Sequence, residues 1–374
     1  MGHRELIFRK EISMKSNKFF SITSLFLFLM SWPLLPTHAA EQKPITLTYS
    51  NFFIPQEAQA KLGEAWAKEV EKRANGKIKI TYYPGGKLLK AEQTFDGVLK
   101  DASDIGMSAF SYNLGAFPVM EAIDLPLGYP SGKTATLVIN DFYKKFQPKE
   151  LAGVKVLYLH AHGPGLLHSK KPVNKLGDLK GMRIRSTGMS AKIAKALGAV
   201  PVAMSQDNTY EALLNNQVDA TFGPMEVLKG WNQAKVIKYT IDDCCVSYTT
   251  GMYVIMNLKK WNSLPPDIQK ILDGVSTEWI IKHGEAWDAS DQEGRKYTLS
   301  LGNKVASLSI QEEGRWANAV RPVINEYVNG TTKKGLLGKE YVETISIRTM
   351  TPATIKPIFP LDIRHLPVIG LFPV

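Results

Sequence analysis

The chain has 374 residues, of which 46 are Lys or Arg and 35 are Asp or Glu, so its formal net charge is +11. The basic residues are spread among acidic ones, without basic runs, and this argues against a nucleic-acid-binding protein. The two cysteines, Cys244 and Cys245, are adjacent, which excludes a disulfide framework and a cysteine-based zinc cluster. We expect them to serve in packing, and the mild positive charge suits an anionic partner.

Residues 14–39 have the order of a secretory signal peptide: basic residues, an apolar stretch, and small residues before a cleavage point after Ala39. A membrane anchor is the alternative, but Pro33 and Pro36 interrupt an apolar stretch that is already short for a bilayer span. Residues 1–13 are interpreted as an upstream extension. Five basic and two acidic residues leave with this segment, so the mature chain carries +8. We expect it in the periplasm, without direct membrane insertion.

The mature chain opens with an alternation of predicted strands and helices. Residues 45–50 and 77–83 alternate apolar and polar positions, as half-buried strands do. Between them, 56–74 places apolar residues on one helical face, and a short helix around Phe95 precedes a small strand at 105–110. This strand-helix-strand-helix-strand order predicts an α/β fold with a largely parallel sheet.

The same order of elements recurs later in the chain. Strands are predicted at 182–186, 200–204 and 218–222, with helices at 189–197 and through Leu213. A short set of residues also stands at the same offsets in both units. These residues are Thr94, Phe95, Leu99 and Asp104 in the first unit and Thr209, Tyr210, Leu214 and Asp219 in the second. The repeat favours two similar lobes over one continuous sheet.

Two further strands are predicted to connect the lobes. Residues 154–159 would cross from one lobe to the other, and residues 253–257 would return the chain. Two long amphipathic helices, at 268–285 and through 317–327, are expected to brace both lobes. The expected fold is therefore a two-lobed α/β fold with hinge-crossing strands and a ligand cleft at the carboxyl ends of the strands, closed by lobe movement.

These elements predict the domain boundaries. Lobe 1 is expected to comprise residues 40–155 with part of 253–345, and lobe 2 residues 156–252. Residues 346–374 have little periodicity and several prolines, so we interpret them as a disordered tail.

Arg185 is the candidate for binding a negatively charged ligand. Strand alternation places Arg183 and Arg185 on one face, and Arg185 lies nearer the carboxyl end and the cleft. A guanidinium can hold a carboxylate through two hydrogen bonds. Residues 186–188 can begin a helix whose free N–H groups also favour an anion. The alternative is a surface arginine that ends a strand.

Several runs together resemble the TRAP-transporter solute-binding proteins of the DctP family. They are YYPGGKLLKAEQTFDGV (82–98), LGDLKGMRIRSTG (176–188), ALGAVPVAM (196–204), TYEALLNNQVDATFGP (209–224), VIMN (254–257) and KWNSLPP (260–266). The resemblance covers roughly residues 44–345. It implies a two-lobed periplasmic binding protein fold that captures organic acids for a two-component membrane permease driven by an ion gradient. It also implies that Arg185 pairs with the ligand carboxylate.

The sequence departs from this resemblance at two places. Many relatives carry an asparagine where Gly223, preceded by Phe222, stands before Pro224. The segment 160–168 also lacks an arginine that many relatives have. One cation and extra room favour a bulky or aromatic monocarboxylate of indole or phenyl type. A small C4-type dicarboxylate or hydroxy acid is the alternative ligand.

Other residues are expected at the cleft because they stand at strand ends or helix starts. They are Phe52, Phe53, Glu92, Phe110, Ser111, Tyr112, His162, Tyr248, Thr249 and Thr250. The hydroxyl groups among them would orient a keto, hydroxy or ring N–H group, whereas some of the aromatic residues would simply pack the sheets. Trp66 and Trp279 are expected in the core, because they stand at helical spacing with aliphatic residues.

His160, His162 and His168 lie close enough in sequence to suggest a metal site. No carboxylate or thiol is near them, so we favour hydrogen-bonding roles and expect neither a metal nor a cofactor. The sequence has no phosphate-binding glycine loop and no nucleophile turn. We therefore expect a receptor and not an enzyme. A periplasmic enzyme and a ligand receptor for a sensor kinase are the remaining alternatives.

Overall fold

The computed structural model describes residues 43–242 and 246–349. The predicted signal peptide, the two adjacent cysteines and the residues beyond 349 lie outside the described residues. In the part of the chain that the structure describes, no helix is long and apolar enough to cross a bilayer.

The described residues alternate between strands and helices for most of their length. The strands are β1 (Ile45–Asn51), β2 (Ile78–Tyr83), β3 (Ile105–Ala109), β4 (Val154–Ala161), β5 (Leu166–Ser169), β6 (Arg183–Ser186), β7 (Val200–Ala203), β8 (Ala220–Gly223), β9 (Tyr239–Ile241), β10 (Gly251–Asn257) and β11 (Lys304–Ala306). The helices are α1 (Ala58–Arg73), α2 (Thr94–Leu99), α3 (Gly132–Phe146), α4 (Gly188–Ala196), α5 (Thr209–Leu214), α6 (Val227–Gly230), α7 (Leu258–Ser263), α8 (Pro266–Ser300), α9 (Ile310–Lys333) and α10 (Gly338–Thr349).

The strands form two mixed sheets, one in each lobe. Lobe 1 contains the order β2-β1-β3-β10-β4, and lobe 2 contains the order β11-β9-β5-β8-β6-β7. Each sheet has a parallel unit of three strands with the first strand in the middle, β2-β1-β3 and β7-β6-β8. Antiparallel strands then extend each unit. The α/β class and the two-lobed architecture predicted from the repeat are confirmed.

The repeat extends to equivalent hydrogen bonds made by two aspartates. Asp104 stands directly before β3, and its Oδ2 accepts from the backbone N–H of Thr48 at 2.8 Å. Asp219 stands directly before β8, and its Oδ2 accepts from the backbone N–H of Arg183 at 3.0 Å. In both lobes the carboxylate therefore ties the start of the third strand to the first strand, which explains why the offsets match in the sequence.

The lobes are connected by two chain segments that meet at one point. After β4 ends at Ala161, the chain enters lobe 2 at Leu166, and it returns to lobe 1 at Gly251. Between these strands, Gly165 and Tyr248 form an isolated antiparallel bridge. The sequence placed the lobe boundaries between residues 155 and 156 and between residues 252 and 253. In the structure the chain crosses after Ala161 and returns at Gly251, because β4 and β10 both lie in the lobe 1 sheet.

Helix α8 is much longer than the predicted 268–285. Its 35 residues span about 52 Å, which is enough to reach both lobes. It packs on α1, α3 and β4 in lobe 1 and on α6 in lobe 2. Trp66 and Trp279 lie between α1 and α8 and are 0% and 3% exposed, as predicted for core residues. Their indole N–H groups donate to Ser276 and to the carbonyl of Leu62.

Helices α9 and α10 pack on each other and complete the brace. Helix α9 packs on α4 of lobe 2, and its Tyr327 hydroxyl donates to the carbonyl of Pro118 in lobe 1 at 2.8 Å. Helix α10 packs on α3 through the buried Ile345. The sequence predicted that a tail would begin at residue 346, but α10 continues to Thr349, so residues 346–349 are helical.

Two glycines of α8 allow the close packing of this helix on lobe 2 to be tested. A Cβ at Gly294 would overlap the backbone of Met225, whereas a Cβ at Gly274 would meet open space. We expect Gly294→Ala to lower the free energy of unfolding by roughly 1–3 kcal/mol. Gly274→Ala, the matched control, should raise it by about 0.5–1 kcal/mol, because glycine weakens a helix interior. Urea unfolding measures both, and equal stability of the two variants would contradict the close contact.

Candidate functional site

A small cavity, with an interior volume of about 40 Å³, lies between the two lobes. We call it the interlobe cavity. Its walls come from strand ends, helix starts and the two crossing segments. The lining residues are Phe52, Phe53, Ser111, Tyr112, His162, Arg185, Thr187, Gln206, Phe222, Gly223, Pro224, Glu226, Val227, Trp231, Tyr248, Thr250, Met252 and Trp287.

Arg185 is the cationic residue of this cavity. It lies at the carboxyl end of β6, and its side chain is buried although it is ionised. Nε donates to the carbonyl of Met204 at 3.1 Å, and Nη1 donates to the carbonyl of Phe222 at 3.3 Å. Arg183, two residues earlier on the same strand, instead forms a bidentate pair with Asp219 near the surface. Among the described residues no carboxylate forms an ion pair with Arg185.

Two tyrosine hydroxyls lie in the electrostatic field of Arg185. Burial raises the pKa of Tyr112 to about 12, and the guanidinium opposes this rise. Burial also raises the pKa of Tyr248, again against the effect of Arg185. Both hydroxyls therefore keep their protons at neutral pH and can donate hydrogen bonds to an anion that binds beside the guanidinium.

His162 lies in the same wall and is uncharged at neutral pH. Burial lowers its pKa to about 4, the hydrogen bond to Gly163 opposes this, and Arg185 adds to the lowering. Its Nδ1 lies 2.6 Å from the carbonyl oxygen of Gly163, which can only accept. Nδ1 must therefore carry the proton, and Nε2 remains an acceptor for a ligand hydroxyl or N–H group.

The lobes contact each other directly beside Arg185. The backbone N–H of Gln206 in lobe 2 donates to the hydroxyl of Tyr112 in lobe 1 at 3.3 Å. Gly188, at the start of α4, has φ +50°, and a Cβ there would lie 2.8 Å from Cβ of Ser111. A glycine is therefore required at residue 188 both by the backbone conformation and by the approach of lobe 1. These contacts correspond to a closed arrangement of the lobes.

Four aromatic residues form a continuous wall of the interlobe cavity. Phe52 stacks on Trp231, with ring centroids 6.5 Å apart and planes at 15°. Phe53 lies 5.8 Å from Trp231 and 6.0 Å from Trp287. Phe52 and Phe53 belong to lobe 1 and Trp231 to lobe 2, so the wall joins the lobes. Such a surface suits a flat apolar or aromatic group.

Most of the residues that the sequence places at the cleft line the interlobe cavity. They are Phe53, Ser111, Tyr112, His162, Arg185, Phe222, Gly223, Tyr248 and Thr250. They come together because parallel strands end at the same edge of each sheet, and the two edges face each other.

Three expected residues do not line the interlobe cavity. Phe110 packs in the core against Phe117 and Tyr253, with centroids 5.0 and 5.1 Å away, because adjacent residues at a strand end point in opposite directions. Thr249 is buried behind the wall, where its hydroxyl donates to the carbonyl of His162 at 2.6 Å. Glu92 is exposed at the surface.

Several lining residues are absent from the sequence-based expectation. They are Thr187, Gln206, Pro224, Glu226, Val227, Trp231, Met252 and Trp287. Phe52, which was expected at the cleft as a strand-end residue like Phe53, also lines the cavity. Trp231 follows the short helix α6, and Trp287 lies in the part of α8 that the periodicity did not predict. Neither tryptophan had a sequence signal that distinguished it from a core residue.

The other two candidate histidines have structural roles behind the cavity. Nδ1 of His160 accepts from the indole N–H of Trp287 at 3.1 Å and so positions this wall residue. Nε2 of His168 lies 3.1 Å from the carbonyl oxygens of Gly223 and Pro224, so it must carry the proton and donate to this turn. Among residues 43–242 and 246–349, no group of three or more His, Cys, Asp or Glu side chains is placed to hold a metal ion.

Glu226, which lines the interlobe cavity, belongs to a group of buried carboxyl groups. Glu226 and Glu57 are each 2% exposed, and a methyl group at Gly230 would overlap a carboxyl oxygen of both. Oδ1 of Asp291 accepts from the backbone N–H of Glu226 at 2.8 Å. Burial and the neighbouring Glu57 raise the pKa of Glu226 well above its ordinary range. At least one proton is therefore shared in this cluster at neutral pH.

The two mixed sheets, the paired crossing segments and a closed cavity at the strand ends define a two-lobed solute-binding protein. Residues 53–331 match the family model of the bacterial extracellular solute-binding proteins, family 7 (DctP), and the chain belongs to this family. Members of the family are transport proteins that bind small organic acids and work with TRAP membrane permeases; they are periplasmic and are not enzymes. The recognition made from the sequence is confirmed.

This chain is similar in sequence and structure to known members of the family. A TRAP periplasmic solute-binding protein from Desulfovibrio salexigens is 33% identical, with TM-score 0.72 over 82% of this chain and 95% of that one. A TRAP solute-binding protein from Rhodoferax ferrireducens, in complex with copurified benzoate, is 25% identical, with TM-score 0.77 over 82% and 97%. The monocarboxylate 2-oxoacid-binding periplasmic protein of a Nostoc species is 26% identical over 66% of this chain and 69% of its own length.

The buried carboxyl groups predict a specific dependence of stability on pH. Burial raises the pKa of Asp291 from 3.8 to about 7. The folded chain therefore holds a proton that the unfolded chain loses above about pH 4, and the stability this contributes is lost as the pH rises through about 7. We expect the melting temperature of Asp291→Asn, relative to wild type, to rise between about pH 5 and pH 8, because asparagine does not ionise.

The comparison must be made between the variant and wild type at each pH. The buried histidines act in the opposite sense, because their lowered pKa values remove stability as the pH falls below about 6.5. Their effect is common to both proteins and cancels in the difference. A difference in melting temperature that does not change with pH would contradict the raised pKa of Asp291.

Proposed function

We propose that this chain is the periplasmic receptor of a TRAP transporter and captures a bulky or aromatic monocarboxylate by closing its lobes around it. Arg185 would hold the carboxylate, and the aromatic wall would hold the body of the ligand. The observation that carries the proposal is the buried guanidinium of Arg185, which has two backbone acceptors and no carboxylate partner among the described residues. The signal peptide ending at Ala39 and the permease partner belong to the same proposal.

The charge of Arg185 supports an anionic ligand. A buried cation is costly unless it is paired, and two carbonyl oxygens balance only part of its charge. A carboxylate beside it would accept from the guanidinium and from the hydroxyls of Tyr112 and Tyr248, which Arg185 influences directly. Such charge-assisted hydrogen bonds are roughly twice as strong as neutral ones.

The remaining lining residues favour one carboxylate over two. Arg185 is the one Lys or Arg among the residues that line the interlobe cavity, and His162 is neutral because its pKa is about 4. A second carboxylate that approached Glu226 would meet a group of acidic residues that also contains Glu57 and Asp291. Gly223 lines the cavity, and a Cβ there would lie 3.2 Å from Cγ1 of Val227, so a larger side chain would crowd this wall.

The comparisons support the same chemical class. The Rhodoferax ferrireducens protein was crystallised with benzoate, an aromatic monocarboxylate, and the Nostoc protein binds monocarboxylate 2-oxoacids. A small dicarboxylate or hydroxy acid is the second candidate from the sequence. No described residue provides a second cation in the cavity for it, and for this reason we place it after the monocarboxylate.

A ligand screen separates the two candidates. Thermal-shift measurements with benzoate, phenylacetate, indole-3-acetate and succinate should give the largest rise in melting temperature with an aromatic acid. A ligand present at 100 times its Kd adds about 2.7 kcal/mol to the stability of the folded state. A rise with succinate alone would favour the dicarboxylate and refute the aromatic assignment.

Substitution of Arg185 tests the carboxylate contact. We expect Arg185→Ala to weaken binding of the best aromatic acid by roughly 10- to 150-fold, because a hydrogen bond to a charged group contributes about 1.5–3 kcal/mol. Arg183→Ala is the matched control, since Arg183 stands on the same strand but pairs with Asp219. Isothermal titration calorimetry measures both. Retained affinity in Arg185→Ala, or an equal loss in Arg183→Ala, would refute the contact.

A further inference from the structure

A row of buried polar side chains crosses the sheet of lobe 2 and ends at Arg185. Thr240 of β9 pairs with His168 of β5, and His168 pairs in turn with Thr221 of β8. Thr221 then pairs with Arg185 of β6. Residues that pair across neighbouring strands point to the same face of the sheet, so these four side chains lie side by side. Each is buried, and each therefore needs hydrogen-bond partners away from solvent.

The hydrogen bonds of His168 fix the tautomer of its ring. Nε2 lies 3.1 Å from the carbonyl oxygens of Gly223 and Pro224, which can only accept, so Nε2 carries the proton. Burial lowers the pKa of His168 to about 4, so the ring is neutral at pH 7. Nδ1 is therefore unprotonated and accepts from the hydroxyl of Thr240 at 2.9 Å. Thr240 thus keeps the donor of the ring directed at the turn that follows β8.

Side chains from two strands hold the end of β8. Strand β8 lies between β5 and β6 in the sheet. From β6, Nη1 of Arg185 donates to the carbonyl of Phe222 at 3.3 Å. From β5, His168 donates to the next two carbonyls along the chain, those of Gly223 and Pro224. Strand β8 ends at Gly223, and Pro224 has no N–H with which to extend the pairing, so His168 acts where the strand pairing stops.

We propose that His168 is a positioning residue for ligand binding, because it holds the turn at Gly223 and Pro224 and so fixes the direction of the Arg185 guanidinium. This rests on the proposed function, in which Arg185 binds the ligand carboxylate. His168 itself does not line the interlobe cavity, whereas Phe222, Gly223 and Pro224 do. It therefore acts on a ligand through the turn and the guanidinium. A histidine that only packed the sheet would stabilise the fold without any specific link to Arg185.

Two substitutions that differ in one donor group test the role of His168. His168→Met removes the N–H donor but keeps a side chain of similar length, and we expect it to weaken benzoate binding roughly threefold to tenfold. His168→Gln keeps an N–H donor near the position of Nε2, so its affinity should stay within about twofold of wild type. Isothermal titration calorimetry measures the Kd of benzoate for each variant.

A double-mutant cycle tests whether the effect passes through Arg185. His168→Met is introduced into wild type and into Arg185→Ala, and the Kd of benzoate is measured in both backgrounds. We expect the substitution to change the Kd of Arg185→Ala by less than about twofold, because the guanidinium that it disturbs is already absent. A general loss of stability would instead weaken binding by the same factor in both backgrounds.

Ser169→Ala is the matched control. Ser169 follows His168 in β5 and is also fully buried, but its hydroxyl donates to the carbonyl of Lys171 and not to the turn. This variant should keep the wild-type Kd although it loses a hydrogen bond of the same strand. Thr240→Val removes the hydroxyl that donates to Nδ1 of His168. It should weaken benzoate binding by about twofold to threefold, and only while Arg185 is present.

The outcomes separate this proposal from the proposed function. If Arg185→Ala weakens binding but His168→Met does not, the positioning role is refuted and the carboxylate contact stands. Equal losses in His168→Met and His168→Gln, or in the two backgrounds of the cycle, also refute it, because His168 then serves packing only. If His168→Met does not fold, the Thr240→Val cycle decides by the same criteria.

The positioning role does not depend on the aromatic part of the ligand. If only succinate binds wild type, the aromatic assignment fails, and the same cycle is measured with succinate, whose carboxylate would meet the same guanidinium. Non-additive losses with succinate would then support the role of His168. If Arg185→Ala keeps the wild-type affinity for the acid that binds, the carboxylate contact and the positioning role both fail.

Discussion

The positive charge of Arg185 has to be balanced inside the interlobe cavity, where the residue is only 6% exposed. Bringing a guanidinium out of water carries a large desolvation cost, and backbone carbonyls of Met204 and Phe222 offset only part of it. Both carbonyls belong to the ends of neighbouring strands, so the sheet of lobe 2 fixes the direction of the guanidinium before any ligand binds. Burial keeps the neighbouring Tyr112 and Tyr248 protonated and His162 neutral; the charge of Arg185 opposes the first effect and adds to the second.

The connection between the lobes is also part of the site. Gly165 and Tyr248 pair where the two crossing segments meet, and a Cβ at Gly165 would overlap the Tyr248 ring. The same ring lines the cavity and lies 6.0 Å from Phe222. A hinge residue that touches the ligand cavity couples ligand binding to the angle between the lobes, because the position of the ring depends on both. Helix α8 contributes Trp287 to the cavity wall, and the indole N–H of Trp287 donates to Nδ1 of His160 in β4, which fixes the position of the ring.

The sequence predicts elements and strand ends better than it predicts the completed cavity. The two repeated units follow from local periodicity, and Arg185 follows from its place at the end of β6. Phe110 was misplaced because a single step along the chain reverses the side-chain direction, and Ser111 takes the cavity position instead. Trp231, Trp287 and Glu226 could not be identified, because they reach the cavity only through the packing of α6 and α8 between the lobes. Local pattern carries no information about that packing.

The residues that the sequence missed give the cavity its polarity. Arg185 brings a positive charge to the cavity wall and Glu226 brings a carboxyl group, so a ligand carboxylate is attracted to Arg185 and not to Glu226. The carboxyl cluster also joins the lobes, because Glu57 belongs to lobe 1 and Glu226 to lobe 2. The closed arrangement therefore holds two carboxyl groups together, and the raised pKa of Glu226 limits their repulsion, because a shared proton leaves fewer than two negative charges on the pair.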